Sequence, residues 1–287
     1  MELQDRIEEL ERSGIGVAAV SYDSQEILAA FAAAHGITYP LLSDADSTVI
    51  TEFGILNTVA AEAMGDNKDD PDLADEVKKF VAVQGAFEEA IGTPYPGTFM
   101  LDHNGRVKSR FFEEFYRERN TTANVMLQLG IDLSPVQAVE GSSDQLDFIA
   151  YPSDSSVAVG SRFSIVVDVE PKPGMHVYAP GAEKMGYRVV GLSLDPHPLF
   201  RFAEVDYPDS EIYHFKPTDE HVPVYQQPFT LLQELVVNAS SEVLDDLLKL
   251  DKLTVTGSLK YQACDDEICY LQATVPLSFT VALAGFD

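Results

Sequence analysis

The chain has 287 residues, more than one typical domain of about 100–200, so two domains are expected. Apolar residues make up 45% and charged residues 23%, a globular composition that excludes a disordered or collagen-like chain. Lys and Arg number 19 against 47 Asp and Glu, and the net charge of −28 argues against nucleic acid or an anionic membrane surface as partner.

In chain order, Leu3, Ile7 and Leu10 fall on one face of a charged amphipathic helix ending near Gly14. This start has no apolar signal-peptide centre, and no stretch approaches the ~18 apolar residues of a membrane span, so at face value the chain stays in the cytoplasm. Val17-Ala-Ala-Val20 reads as a short parallel strand covered on both faces. Ser24 is an N-cap for a helix through Ile27, Leu28, Phe31 and Ala34 that stops at Gly36. Tyr39-Pro-Leu-Leu42 is a second strand, and Val49, Ile50 and Phe53 mark a helical turn. This alternation means an α/β domain.

Residues 60–92 break the rhythm with an acidic, helix-prone stretch. It lacks the Gly and the closing Glu of an EF-hand, so a solvated helical insertion is expected. Gly97-Thr-Phe-Met-Leu101 and Arg106-Val-Lys-Ser-Arg-Phe-Phe112 flank an Asn-Gly turn and read as a hairpin. Thr121 and Thr122 open a last helix through Leu129. The first domain is thus 1–132, a linker takes 133–145, and 146–287 form a second domain. In the latter, apolar runs at 163–169, 188–194, 229–232, 234–237, 253–256 and 275–281 are strands, with one helix at 241–250. About eight short strands in ~140 residues predict an antiparallel β-sandwich.

The two cysteines are too few for a disulfide scaffold or a four-cysteine zinc site. Cys264 and Cys269 lie between β-patterned segments, so they face each other across a hairpin whose loop is Asp265 to Ile268. Opposed residues ~4.5 Å apart at Cα are within disulfide range. A loop this short gains only about 2 kcal/mol from cross-linking, which favours a bond that is reduced and re-formed over a staple. A metal would need two more ligands, and the six histidines show no paired spacing; no metal or cofactor is expected. Asp265, Asp266 and Glu267 raise the thiol pKa values, which suits a pair that waits for a partner's attack. His176 and His214 read as strand or loop histidines. Gly14-Ile-Gly16 lacks the third glycine of a nucleotide loop, and no nucleophile elbow supports a Ser-His-Asp triad.

The segment Tyr261-Gln-Ala-Cys264-x4-Cys269-Tyr270-Leu resembles the active-site hairpin in the amino-terminal periplasmic domain of DsbD-type thiol:disulfide interchange proteins. Pro173-Gly-Met-His-Val-Tyr-Ala-Pro180 and Val222-Pro-Val-Tyr225 extend the likeness over roughly 146–287. The resemblance implies an immunoglobulin-like sandwich in the bacterial periplasm or cell envelope. It also implies that Cys264 and Cys269 exchange electrons with thioredoxin-like or membrane thiol–disulfide reductase partners. Tyr261 and Tyr270 would flank the pair. A flexible cap over 206–215 would shield it with Tyr207, Tyr213 and Phe215.

Val17 to Asp23, His35 to Asp44 and Pro94 to Arg106 are similar to the redoxin (AhpC/TSA) group of the thioredoxin superfamily. Pro96 falls where that superfamily places a cis-proline. The superfamily's nucleophilic cysteine opens a helix, and this chain begins inside the matching helix, at Met1 to Arg12. We therefore expect an internal methionine or incomplete gene start. The strand between 16–21 and 97–102 would be missing, and a Trp-Cys-x-x-Cys or Thr-x-x-Cys segment would lie upstream behind a signal sequence. Two further functions stay open: an interaction module whose cysteines form a structural clasp, and peroxide reduction in a longer native chain.

Overall fold

The computed structural model describes residues 2–57, 93–112, 118–216 and 219–284. The insertion expected at 60–92 lies outside the described residues. The chain divides into two compact units, Met1–Tyr116 and Arg117–Asp287.

The first unit opens with α1 (Glu2–Asp5) and α2 (Ile7–Arg12), where Ile7 and Leu10 are buried as their spacing predicts. In α3 (Gln25–His35) the Ser24 hydroxyl accepts from the Ile27 amide, and Gly36 ends the helix at φ 64°. That left-handed stop favours glycine. The strands β1 (Ala19–Ser21) and β2 (Leu41–Ser43) pair in parallel, with α4 (Thr48–Glu52) following. Asp44 is buried, and its carboxylate accepts from the Val49 and Ile50 amides at the start of α4. The hairpin β3 (Gly97–Leu101) and β4 (Val107–Phe112) turns through Asp102, which accepts from Asn104 and Arg106. Among the described residues no strand joins the β1–β2 ladder to the β3–β4 ladder. The strand expected to be covered on both faces is not: Val20 is 46% and Leu42 49% exposed. Among the described residues β1 pairs only with β2, and the face carrying Val20 and Leu42 is exposed.

Three sheets build the second unit. In the largest, β6 (Val139–Ser142), β7 (Leu146–Pro152), β9 (Ser161–Pro171), β15 (Phe229–Val237) and β12 (Phe200–Asp206) follow in antiparallel order, and β5 (Arg119–Asn120) joins β9 in parallel. A second contains β11 (Gly191–Leu194), β16 (Lys252–Tyr261), β18 (Ala273–Leu283) and β8 (Ser156–Val157). The third runs β13 (Glu211–Phe215), β14 (Glu220–Tyr225), β10 (His176–Tyr178) and β17 (Ala263–Cys264). Alternate residues point inward. Phe163, Ile165 and Val167 of β9 meet Leu231 and Leu235 of β15, Leu253, Val255 and Leu259 of β16, and Leu277 and Phe279 of β18 in one core cluster. Each such buried side chain contributes about 1.5–3 kcal/mol. The result is an immunoglobulin-like β-sandwich. At Gly257 a Cβ would come within 2.4 Å of the Ser193 carbonyl, so only glycine lets β16 approach β11 this closely.

Several boundaries differ from the sequence expectation. The helix opening at Thr121, α5 (Thr122–Gln128), belongs to the second unit rather than closing the first. Its buried Asn124 donates to Glu234 and accepts from the Ser164 hydroxyl, and Thr121 donates to Asp154. The segment 133–145 is not a bare linker, because β6 pairs along β7 from Val139 to Ser142. The runs at 229–232 and 234–237 are one strand. Gln233 interrupts the apolar pattern because its amide donates to the Ala203 carbonyl, where β12 bulges between Phe202 and Val205. The helix read at 241–250 is α6 (Ser241–Leu247).

Candidate active site

The site begins with a turn. Pro173 and Gly174 occupy the centre of a tight reversal closed by the Met175 amide on the Lys172 carbonyl, with Gly174 at φ 81°. The chain then enters β10, where successive side chains face opposite ways. Val177, with Tyr225 and Ala263 beside it in the ladder, joins the main core. His176 and Tyr178 take the opposite face, together with Val222, Val224 and Cys264. The cysteine hairpin therefore stands on the side of the small sheet that the main core does not use.

Cys264 and Cys269 form a disulfide with Cα atoms 4.0 Å apart. The Asp265 amide donates to Ile268 and the Tyr270 amide to Ala263, so the cysteines occupy the non-hydrogen-bonded position between those bonds. The Asp265 carboxylate organises the loop by accepting from the Ile268 and Glu267 amides, at 2.7 and 2.8 Å, and from the Tyr270 hydroxyl at 3.0 Å. Those two amides, the Ile268 bond foremost, hold the Asp265 carboxyl below its usual range. The two cysteines differ in exposure. Cys264 is 1% exposed, whereas Cys269 is exposed between Ile268 and Leu271, themselves 55% and 95% exposed.

Aromatic side chains cover the buried end. Tyr187 stacks on Tyr178 at 4.3 Å, Tyr178 meets His176 edge-on at 5.5 Å, and His176 meets Tyr213 at 4.5 Å between ring centres. The Tyr178 hydroxyl lies 3.3 Å from the Cys269 sulfur, and because a disulfide sulfur carries no proton the hydroxyl is the donor. Burial raises the Tyr178 pKa and keeps that proton in place. Tyr213 donates to Asp266 at 2.5 Å, and this bond pushes its phenol up to about 12. His176 is 2% exposed and lies directly opposite Cys264 in the β10–β17 ladder. Desolvation lowers its pKa, with Asp266 and Asp265 pulling weakly the other way.

The sequence-selected residues divide accordingly. Tyr213 and Tyr270 reach the hairpin through Asp266 and Asp265. Tyr261 does not flank the pair: it is buried in the main core, since the strand alternation that points Cys264 outward points Tyr261 in. Tyr207 also packs against the main core, and Phe215 sits opposite Glu220 at the end of the β13–β14 ladder. The cap segment is largely an ordinary edge strand, β13, rather than a free loop. Pro96 lies in the other unit, and no peptide among the described residues is cis. The trans form is favoured by about 0.5–1 kcal/mol before proline, and the Tyr95 amide is held on the Ile55 carbonyl. His214 is elsewhere too, stacked on His221 and bound to Asp219. Sequence reasoning missed Tyr178 and Tyr187. The His176–Tyr178 spacing of two, beside a Pro-Gly turn, was the available signal. No group of three or more metal-ligating side chains occurs among the described residues.

Comparison with known families assigns the two halves. Residues 150–279 match the family model "Thiol:disulfide interchange protein DsbD, N-terminal", and residues 1–110 match "AhpC/TSA family". The chain thus carries a stretch similar to the redoxin family followed by one similar to the DsbD amino-terminal region. The redoxin region contains no cysteine, since the chain's two stand at 264 and 269. Two curated proteins of Mycobacterium tuberculosis named as peroxiredoxins, from strains CDC 1551 / Oshkosh and ATCC 25618 / H37Rv, are each 40% identical over 53 residues. That match covers 18% of this chain and spans about a third (34%) of their length. Among solved structures, the N-terminal periplasmic domain of ScsB from Proteus mirabilis is 14% identical, with TM-score 0.35 over 50% of this chain and 49% of that one. The reduced DsbD N-terminal domain of Neisseria meningitidis is 14% identical, with TM-score 0.28 over 42% and 81%.

Proposed function

We propose that the second unit is a thiol–disulfide exchange domain whose reactive pair is Cys264 and Cys269. The observation that carries this is the unequal exposure of the two cysteines within one short hairpin. A partner thiolate can reach Cys269 from solvent. Its attack forms a Cys269–partner mixed disulfide and expels Cys264, which sits in the aromatic pocket. A second partner thiolate then attacks the partner sulfur, and Cys269 leaves as a thiolate facing the Tyr178 hydroxyl. A hydrogen bond from that hydroxyl stabilises the departing charge.

The partners are thioredoxin-like proteins or a membrane thiol–disulfide reductase, as the DsbD-type match supports. A formed disulfide fits an oxidising compartment, and we place the domain in the bacterial periplasm or cell envelope. The test is equilibration of the whole chain with glutathione and dithiothreitol buffers. A reduction potential above about −300 mV is expected, and a value well below it would identify a structural clasp in an interaction module. Peroxidase activity of the 287-residue chain, which these two cysteines are not arranged to provide, would overturn the reading.

A further inference from the structure

His176 has no role in the exchange described so far, yet it lies directly across a β-ladder from Cys264. The two residues are direct partners across β10 and β17. Opposed residues put their Cβ atoms about 4.5–5.5 Å apart on one face, so the imidazole and the Cys264 sulfur stand on the same side of the small sheet as neighbours. His176 is 2% exposed, and its Nδ1 is buried without a hydrogen-bond partner among the described residues. Buried polar atoms are almost always paired, so an orphan in a redox site calls for an explanation. In the disulfide state neither sulfur carries a proton to offer. In the dithiol state Cys264 does.

We infer that His176 is the proton relay for Cys264, passing the partner's thiol proton to the departing Cys264 sulfur and then accepting the Cys264 S–H hydrogen bond at Nδ1 once the pair is reduced. This rests on the redox reading above. The partner thiol loses a proton to become the attacking thiolate, and its sulfur bonds to Cys269 as the Cys264–Cys269 bond breaks. The electron pair of that bond stays on Cys264. The neutral imidazole takes up the released proton and passes it to Cys264, ending neutral with Nδ1 occupied. Partner sulfur is oxidised, Cys264 sulfur is reduced, and charge balances. The groups facing the ring are Asp265 and Asp266 from the hairpin, Tyr213 from β13 and Tyr178 on its own strand. Both tyrosine hydroxyls are committed, to Asp266 and to Cys269, which leaves Cys264 as the donor Nδ1 lacks.

The oxidised state thus carries an unpaired acceptor that reduction satisfies, so His176 favours the dithiol. The experiment compares the full chain with its His176→Phe and His176→Asn variants in glutathione equilibria and in stopped-flow reduction by dithiothreitol between pH 5 and 9. His176→Phe is expected to shift the equilibrium about tenfold toward the disulfide, about 30 mV for this two-electron couple. It should also remove the histidine inflection from the pH–rate profile. His176→Asn, which keeps an acceptor but cannot titrate, should restore the equilibrium and not the inflection. Should His176→Phe not fold, the wild-type Nδ1 resonance of ¹⁵N-histidine must still move on reduction. Equal constants and profiles in wild type and His176→Phe, or an unmoved resonance, would overturn the inference alone. A wild-type disulfide that does not equilibrate with either thiol would instead overturn the exchange function.

Discussion

At the scale of single residues, the site works by assigning different environments to chemically identical sulfurs. Cys269 is exposed and receives the Tyr178 hydroxyl, while Cys264 is buried against His176. In a Cys264→Ser background, replacing Tyr178 with Phe removes a donor that favours the Cys269 thiolate. The Cys269 pKa should rise by roughly one unit, read from the pH dependence of iodoacetamide alkylation. His176 gives a prediction of opposite chemical sense. Its folded-state pKa is depressed by burial, so the unfolded chain binds its proton first as pH falls. The stability it contributes is complete above the unfolded value near 6.5 and is lost as pH falls through the depressed folded value. Urea unfolding of wild type should therefore weaken below pH ~6.5 more steeply than that of His176→Phe. Parallel curves would mean that the ring is not buried as a neutral group.

At the scale of elements, the hairpin was legible in the sequence and its surroundings were not. Cys264 and Cys269 are five residues apart, so turn geometry fixes their pairing locally. Tyr213 arrives from β13, two strands away from β10 and three from β17, and its convergence on Asp266 depends on registers that no local pattern reveals. Tyr207 and Tyr261 look equally suitable as shields until the fold packs both against the main core, Tyr261 by strand alternation and Tyr207 just past the end of β12. Gln233 split one strand into two apparent ones for a similar reason: its partner, the Ala203 carbonyl, lies 30 positions away in sequence. The edge strand β13 thus serves as the cover that the sequence assigned to a loop, with Tyr213 packed on His176 and tied to the hairpin. Tyr213→Ala should speed reduction of the disulfide by dithiothreitol several-fold and lower stability by about 1–2 kcal/mol. An unchanged reduction rate would show that β13 does not limit access.

For the molecule as a whole, the alternating α/β pattern followed by strands predicts two domains, with composition putting their boundary later than the division between the two compact units. Ser, Pro and Gly mark 132–145, whereas the change of unit falls at Arg117. Helical periodicity at 121–129 shows that a helix forms, not which sheet receives it. The deciding residues are polar. Asn124 is fully buried and bonds to Ser164 and Glu234, and Glu118 bonds to Arg201 and Arg162. Met126 and Ala123 are 0% exposed on the same helix. Beginning a fragment at residue 133 would remove this buried helix and leave Ser164 and Glu234 without the Asn124 side chain. Losing one large buried side chain alone costs about 2–5 kcal/mol, and stranding a buried polar group adds about 1–3. A fragment of residues 117–287 should therefore unfold in a single cooperative urea transition, while one of residues 133–287 should be destabilised by at least about 3 kcal/mol. Equal midpoints would return α5 to the redoxin side of the boundary.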